Sequence, residues 1–285
     1  MLGGSVRRRL AGKTDTLRRR LRGSADLPIL FGATFPKGGT HLLQQILLGF
    51  ADVAPFSKSV AGYFPPHPFY LDYERAVGRK RTPEEALEWL DSLRPGDVAS
   101  THLFARPEAV QRVGTPRFAP YFVYRDPRDI AVSHVFYVTD MEPENLSHDY
   151  YTSLSDFGTR LAVTIAGAPD WEIEFPSIAE RFEPYLGWLE APQVLSVRFE
   201  DLIEDRTAAL NRIIDHLLVR TDLRAPREAV LDAVQHSINP KTSRTFRSGK
   251  TGEWRKYFTE QHKVMFKDAA GDLLIRLGYE RDRDW

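Results

Sequence analysis

Cysteine is absent from all 285 residues. No disulfide, thiolate metal site or cysteine nucleophile is available, so the fold must stand on packing alone. Neither sign of charge is in excess, because 39 basic side chains meet 39 acidic ones. A whole-molecule field that would draw the chain onto nucleic acid is therefore excluded, and no nucleic-acid partner is expected. No run of about 18 apolar residues occurs, so no transmembrane segment is expected. The first residues also lack the apolar stretch of a secretory signal, and the reading is a cytoplasmic protein. What is there is ordinary: 42% hydrophobic and 27% charged residues exclude a disordered, collagen-like or low-complexity chain.

The neutral total hides an uneven start. Residues 1–24 hold eight basic side chains and a single acid, Asp15. The sequence divides into this basic arm and one domain over residues 25–285. The arm reads first as a solvated segment. Val6, Leu10, Leu17 and Leu21 fall on one side of a helix drawn through it, which allows a weak contact with an anionic surface.

Beyond the arm, strands alternate with helices. Pro28–Phe35 reads as a buried strand, Lys37-Gly38-Gly39 as a turn, and Thr40–Phe50 as a buried helix. Residues 53–75, rich in proline and aromatics, read as irregular. Thr82-Pro83-Glu84-Glu85 starts a helix that runs to about Leu93. Further strands are expected at Asp97–His102, Phe118–Tyr124 and Val194–Phe199, and helices at 106–113, 129–138, 155–166, 177–190, 205–219, 226–236 and 259–277. Residues 139–154 and 237–253 read as loops. The alternation predicts a three-layer α/β/α domain with a central parallel sheet.

In such a sheet, ligands gather beyond the C-terminal strand ends. Three sequences fall there. Thr34-Phe35-Pro36-Lys37-Gly38-Gly39-Thr40-His41 offers glycines for close backbone approach, a helix start, a lysine and a hydroxyl, which together suit a phosphate. It is not a Walker A loop, since the lysine precedes the glycines. Tyr124-Arg125-Asp126-Pro127-Arg128-Asp129, with Ser133 in the next helix, offers a guanidinium fork for phosphate oxygens. In that stretch Asp129 caps or enters the helix and Arg128 reads as a solvated charge. Ser100-Thr101-His102 puts a histidine at a strand end, placed to accept a proton, with His41, His67 and His134 as rival bases. These histidines lack metal-ligand spacing, and no metal is expected.

Together these pieces resemble the PAPS-dependent sulfotransferase family, over roughly residues 28 to 278. Its TYPKSGTTW loop is similar to Thr34 through Leu42. Its arginine and serine eight residues apart match Arg125 and Ser133. Its K-T-H context resembles Ser100-Thr101-His102, its Y-E-D-L matches Phe199-Glu200-Asp201-Leu202, and its F-x-R-K-G-x-x-G-x-W resembles Phe246 through Trp254. The resemblance implies a P-loop-kinase-like fold and sulfuryl transfer from PAPS, leaving PAP, with no metal required. It implies His102 as general base. Lys37, Gly38, Gly39, Thr40 and His41 would lie at the 5′-phosphosulfate, and Arg125 and Ser133 at the 3′-phosphate. Phe199 would lie near adenine, with Arg247, Ser248 and Gly249 closing over the 3′-phosphate.

Four positions depart from the pattern. Leu42 replaces the tryptophan that stacks on adenine, and Phe199 a tyrosine. Ser248 and Ser100 each replace a lysine, which implies either weaker nucleotide binding or compensation by Lys241, Arg244 or Lys250. Aromatics at 56–73, with Phe136, Tyr137, Tyr150, Tyr151 and Trp171, suggest a small acceptor whose hydroxyl sits on an apolar or phenolic body. A P-loop-type small-molecule kinase, and a non-catalytic nucleotide-binding or membrane-surface protein, are the rival readings.

Overall fold

The computed structural model describes residues 27–64, 82–169, 171, 175–243 and 246–285. The arm over residues 1–24 lies outside the described residues, as do His67, Phe69, Tyr70, Tyr73 and Arg244. Five strands form one parallel sheet: β1 (Ile29–Thr34), β2 (Val60–Tyr63), β3 (Val98–Thr101), β4 (Phe118–Tyr124) and β5 (Leu195–Arg198). Their order is β2-β3-β1-β4-β5. The helices between and after them are α1 (Thr40–Gly49), α2 (Pro83–Ser92), α3 (Pro107–Val113), α4 (Pro127–Phe136), α5 (His148–Ser153) and α6 (Phe157–Ala166). There follow α7 (Ile178–Glu190), α8 (Phe199–Glu204), α9 (Arg206–Leu218), α10 (Arg227–Ser237), α11 (Glu260–Ala270) and α12 (Leu273–Arg276).

Both faces of the sheet are covered, which gives the three expected layers. The two-residue period of a strand sorts the core. Ile29, Phe31 and Ala33 of β1 and Phe118 and Phe122 of β4 face one layer, with α4 and α7. Leu30 of β1 and Ala119, Tyr121 and Val123 of β4 face the other, with α1, α9 and α10. β1 and β4 are neighbours in parallel register, from Ile29 opposite Phe118 to Thr34 opposite Val123. Yet α1, which leaves β1, packs on one face and α4, which leaves β4, on the other. This reversal opens a crevice at the C-terminal ends of β1 and β4.

Local chemistry explains the helix starts. Thr82 accepts from the Glu85 amide at 3.3 Å while Glu85 accepts from the Thr82 amide at 2.9 Å, and Pro83 takes the first turn. Asp126 caps α4 by accepting from the Arg128 amide at 2.9 Å, again with proline at the first position. The expected start at Asp129 is thus two residues late.

Other expectations are corrected. Residues 53–75 read as irregular in sequence, but within the part described, Val60–Tyr63 is an edge strand paired in parallel with β3. Four residues with one buried side chain carry too little periodicity to be seen. The polar stretch 139–154 was read as a loop. It holds a wide helical turn over Tyr137–Met141 and then α5, with Asn145, Ser147 and Tyr151 buried. Its polar groups serve the fold: Asn145 Oδ1 accepts from the Ser147 amide, and the Tyr151 hydroxyl lies 2.8 Å from Thr164 Oγ1. Phe199 begins α8 instead of ending the strand. The last helix breaks at Gly271, whose φ is +54°.

α7 braces the segment that leaves β3. Trp188 is fully buried beside Phe31, and its indole N–H donates to Leu103 O at 2.9 Å. The Tyr185 hydroxyl donates to His102 O at 3.0 Å. Trp188→Ala should therefore lower stability by about 3–5 kcal/mol in urea unfolding, from lost burial and a cavity the sheet cannot collapse into.

Candidate active site

The crevice opens into a cavity of about 630 Å³. Every sequence-predicted site residue except Gly38 lines it: Lys37, Gly39, Thr40, His41, His102, Arg125, Ser133, Phe199, Arg247, Ser248 and Gly249. Gly38 instead makes the turn behind them. Its amide donates to Phe35 O at 2.8 Å, and a Cβ there would meet that same oxygen at 2.8 Å.

The β1–α1 turn carries two left-handed residues, Lys37 at φ +66° and Gly39 at φ +116°. Gly39 has no side chain to cap α1, and the first turn of α1 holds no acid. Thr40, His41 and Leu42 line the cavity at this positive end of α1, with no acid in the first turn to offset the partial charge of its amides. A Cβ on Gly39 would sit 2.9 Å from the Phe199 ring, so the loop approaches the far wall as closely as only glycine permits.

Lys37 is half-buried in the β1–α1 turn, and its Nζ lies 4.0 Å from the centroid of the Tyr137 ring. Its pKa is lowered to about 7, first by burial and then by Arg125 and Arg247, while Glu142 pulls it back up. Arg125 leaves the end of β4. Its Nη2 donates to Lys250 O at 2.9 Å and lies 3.6 Å from Asp129 Oδ2, and its guanidinium stands 4.7 Å over the Phe199 ring. Its Nε is buried with no hydrogen-bond partner among the described residues. Asp129 also accepts from the Gly252 amide at 2.7 Å and the Trp254 amide at 2.8 Å. One carboxylate thus ties the 246–254 flap to the Arg125 strand end. Within the flap, Glu253 accepts from Arg247 Nη2 at 2.6 Å and from the Ser248 hydroxyl.

His102 stands just past β3 and is buried. Its Nδ1 is 2.8 Å from Thr34 O and 3.2 Å from Thr34 Oγ1, which is 2.8 Å from Thr40 Oγ1. A carbonyl oxygen can only accept, so Nδ1 carries the proton and Nε2 is the basic nitrogen of the neutral ring. Burial pushes its pKa down to about 4. The Thr34 carbonyl opposes this, and His41 and Lys37 add to it.

Several expected roles fall elsewhere. Arg128 is not a solvated charge. It is buried, bonded to Asp126 at 2.7 Å and Glu280 at 2.6 Å, and stacked between Trp254 and Trp285 at 4.0 and 4.5 Å. Tyr150, Tyr151, Trp171 and Phe136 pack with the core, and of the described aromatics on the acceptor side only Phe64 and Tyr137 reach the cavity. Ser100 is buried in β3, where Oγ accepts from Gln44 Nε2 at 3.0 Å. Lys241 and Lys250 do not line the cavity, whereas Arg206, which sequence reasoning passed over, does. No motif marks Arg206, since it lies beyond the Phe199-to-Leu202 match. No group of three or more potential metal ligands is found among the described residues.

The family described as the sulfotransferase domain matches residues 28–278. No curated protein sequence matches the chain. Among solved structures, the fold is similar to mouse sulfotransferase SULT7A1 complexed with PAP, at 18% identity and a TM-score of 0.57, covering 91% of this chain and 92% of that one. It is also similar to retinol dehydratase in complex with retinol and PAP, at 20% identity and a TM-score of 0.54, covering 90% of this chain and 86% of that one. At such identities the likeness concerns the fold.

The depressed His102 value has a checkable sign. Between the ordinary histidine value and about 4, the unfolded chain binds a proton that the folded chain does not. His102 therefore subtracts stability as the pH falls through that window. In an NMR titration of the ligand-free protein, with His102→Gln for assignment, the His102 signals should stay in the neutral form from pH 8 down to about pH 5. A midpoint near the ordinary histidine value would contradict this geometry.

Proposed function

This chain belongs to the sulfotransferase domain family, and from that premise we propose that it transfers a sulfuryl group from PAPS to the hydroxyl of a small acceptor. The reading is supported by one cavity that brings Lys37, Thr40, Arg125 and Ser133 together with a neutral, oriented histidine. Its residues fit a nucleotide bearing phosphate at two positions. A buried Arg125 Nε without a partner among the described residues, a lysine whose charge is suppressed first by desolvation and then by its cationic neighbours, and a glycine turn that a Cβ would block all suit an anion. Lys37, Thr40 and the first amides of α1 would hold the 5′ end, and Arg125, Ser133 and the Arg247–Gly249 flap the 3′-phosphate.

PAPS, when bound, supplies an activated sulfuryl group on a phosphate leaving group. His102 takes the acceptor's proton at Nε2, and its Nδ1–H bond to Thr34 fixes the ring for that task. Lys37, recharged by a bound anion, stabilises negative charge at the 5′ corner together with the α1 amides.

The acceptor body would lie against Phe64 and Tyr137. The Phe64 ring is 5.0 Å from the His102 ring, and Tyr137 covers Lys37. This favours a phenol or a hydrophobic alcohol over a charged glycan. The kinase reading lacks support at the loop itself, because Gly39 fills the position where that chemistry needs lysine.

Calorimetric titration with PAP, ADP and ATP tests the nucleotide. Tight binding of PAP with weak binding of the other two is expected, and a preference for ATP would overturn the assignment. His102→Ala should leave PAP affinity nearly intact and lower sulfation of a phenol by at least about 100-fold. Unchanged turnover in that variant would remove His102 from the mechanism.

A further inference from the structure

The strand order lays the cavity out in a line. His102 stands at the end of β3, the Lys37 loop at β1, Arg125 at β4, and Phe199 and Arg206 beyond β5. If the two phosphate corners are those at β1 and β4, the base of the nucleotide falls at the β5 end, away from the histidine. The walls there are Leu42, Phe199, Ile203 and Ile238, with Arg206 beside them. Four apolar side chains suit a flat heteroaromatic ring and would penalise a further dianion.

Arg206 differs from the other cavity arginines. Arg125 has Asp129, and Arg247 has Glu253. Among the described residues Arg206 makes no ion pair, and its one hydrogen bond runs from Nε to Leu202 O at 3.3 Å. The neighbouring acids are engaged elsewhere: Glu204 accepts from the Thr251 hydroxyl at 2.8 Å, and Asp205 accepts from the Ala208 amide at 3.2 Å. The Nε contact anchors one edge of the guanidinium while its two Nη groups stay uncommitted. A planar guanidinium stacks on aromatic faces, and its free N–H groups can donate to ring nitrogens.

We infer that Arg206 is a specificity-determining residue for the nucleotide base. It packs its guanidinium against the purine, on the wall where Leu42 presents an aliphatic side chain. The inference rests on the nucleotide reading above and adds what holds the base in this chain.

The test is calorimetric binding of two probes, PAP and the 3′,5′-bisphosphate of 1,2-dideoxyribose, which keeps both phosphates and has no base. Arg206 is solvent-facing at the first position of α9, so Arg206→Ala should fold normally. That variant should bind PAP about tenfold more weakly and the base-free bisphosphate as well as the wild type does. Leu42→Trp placed in the same variant should recover PAP affinity, because it restores an aromatic surface for the base. An equal loss for both probes would show Arg206 acting as a charge on phosphate and would overturn the inference, as would unchanged PAP affinity. A wild-type protein that ignores PAP would instead overturn the nucleotide reading itself, so the two failures are distinct.

Discussion

Gathering Lys37, Arg125 and Arg247 around one cavity at the C-terminal edge of the sheet is the constraint on which the rest of the site depends. Like charges held together out of water repel one another and lose solvation, and the fold answers by suppressing the charge of Lys37. Tyr137 supplies a ring face to the ammonium and Glu142 an opposing charge, yet the pKa still falls to about 7. Such a cluster gains most from a ligand that brings its own negative charge. His102 is kept neutral chiefly by its own burial, with smaller contributions from His41 and Lys37.

The cluster persists because a second set of groups fixes it from behind. Asp129 binds the backbone of Gly252 and Trp254 as well as the Arg125 side. Asp126 and Glu280 hold Arg128, which Trp254 and the terminal Trp285 sandwich. Glu200 accepts from the Asp126 amide at 3.1 Å and from the Tyr279 hydroxyl at 2.6 Å. The strand end that carries Arg125, the flap that carries Arg247 and the C-terminal segment are thus one hydrogen-bonded body. The same logic operates at β3, where Tyr185 and Trp188 of α7 hold the carbonyls of His102 and Leu103.

Much of this was legible in the residues, for physical reasons. β1 and β4 are continuous apolar runs because both faces are covered, and Thr82 before Pro83 announces α2, whereas the sequence reading places the start of α4 at Asp129, past its Asp126 cap and Pro127. The anion loops could be read because glycine, lysine and arginine at strand ends have few other uses. What escaped was long-range. Arg128 looks solvated in sequence, since the partners that bury it, Glu280 and Trp285, lie about 150 residues away. Tyr150, Tyr151 and Trp171 look like a pocket lining but pack with the core and one another, as in the stacking of Tyr150 on Trp171 at 4.5 Å. β2 is an edge strand too short to show a period, and Arg206 sits in no motif at all.

The most direct test of the account is the titration of the Lys37 amine itself, followed by NMR with the protein alone and with PAP bound. The account predicts a midpoint near 7 for the protein alone and a clear upward shift when phosphate neutralises its cationic neighbours. A midpoint at the ordinary lysine value in both states would contradict it, because the amine would then be neither desolvated nor crowded by Arg125 and Arg247.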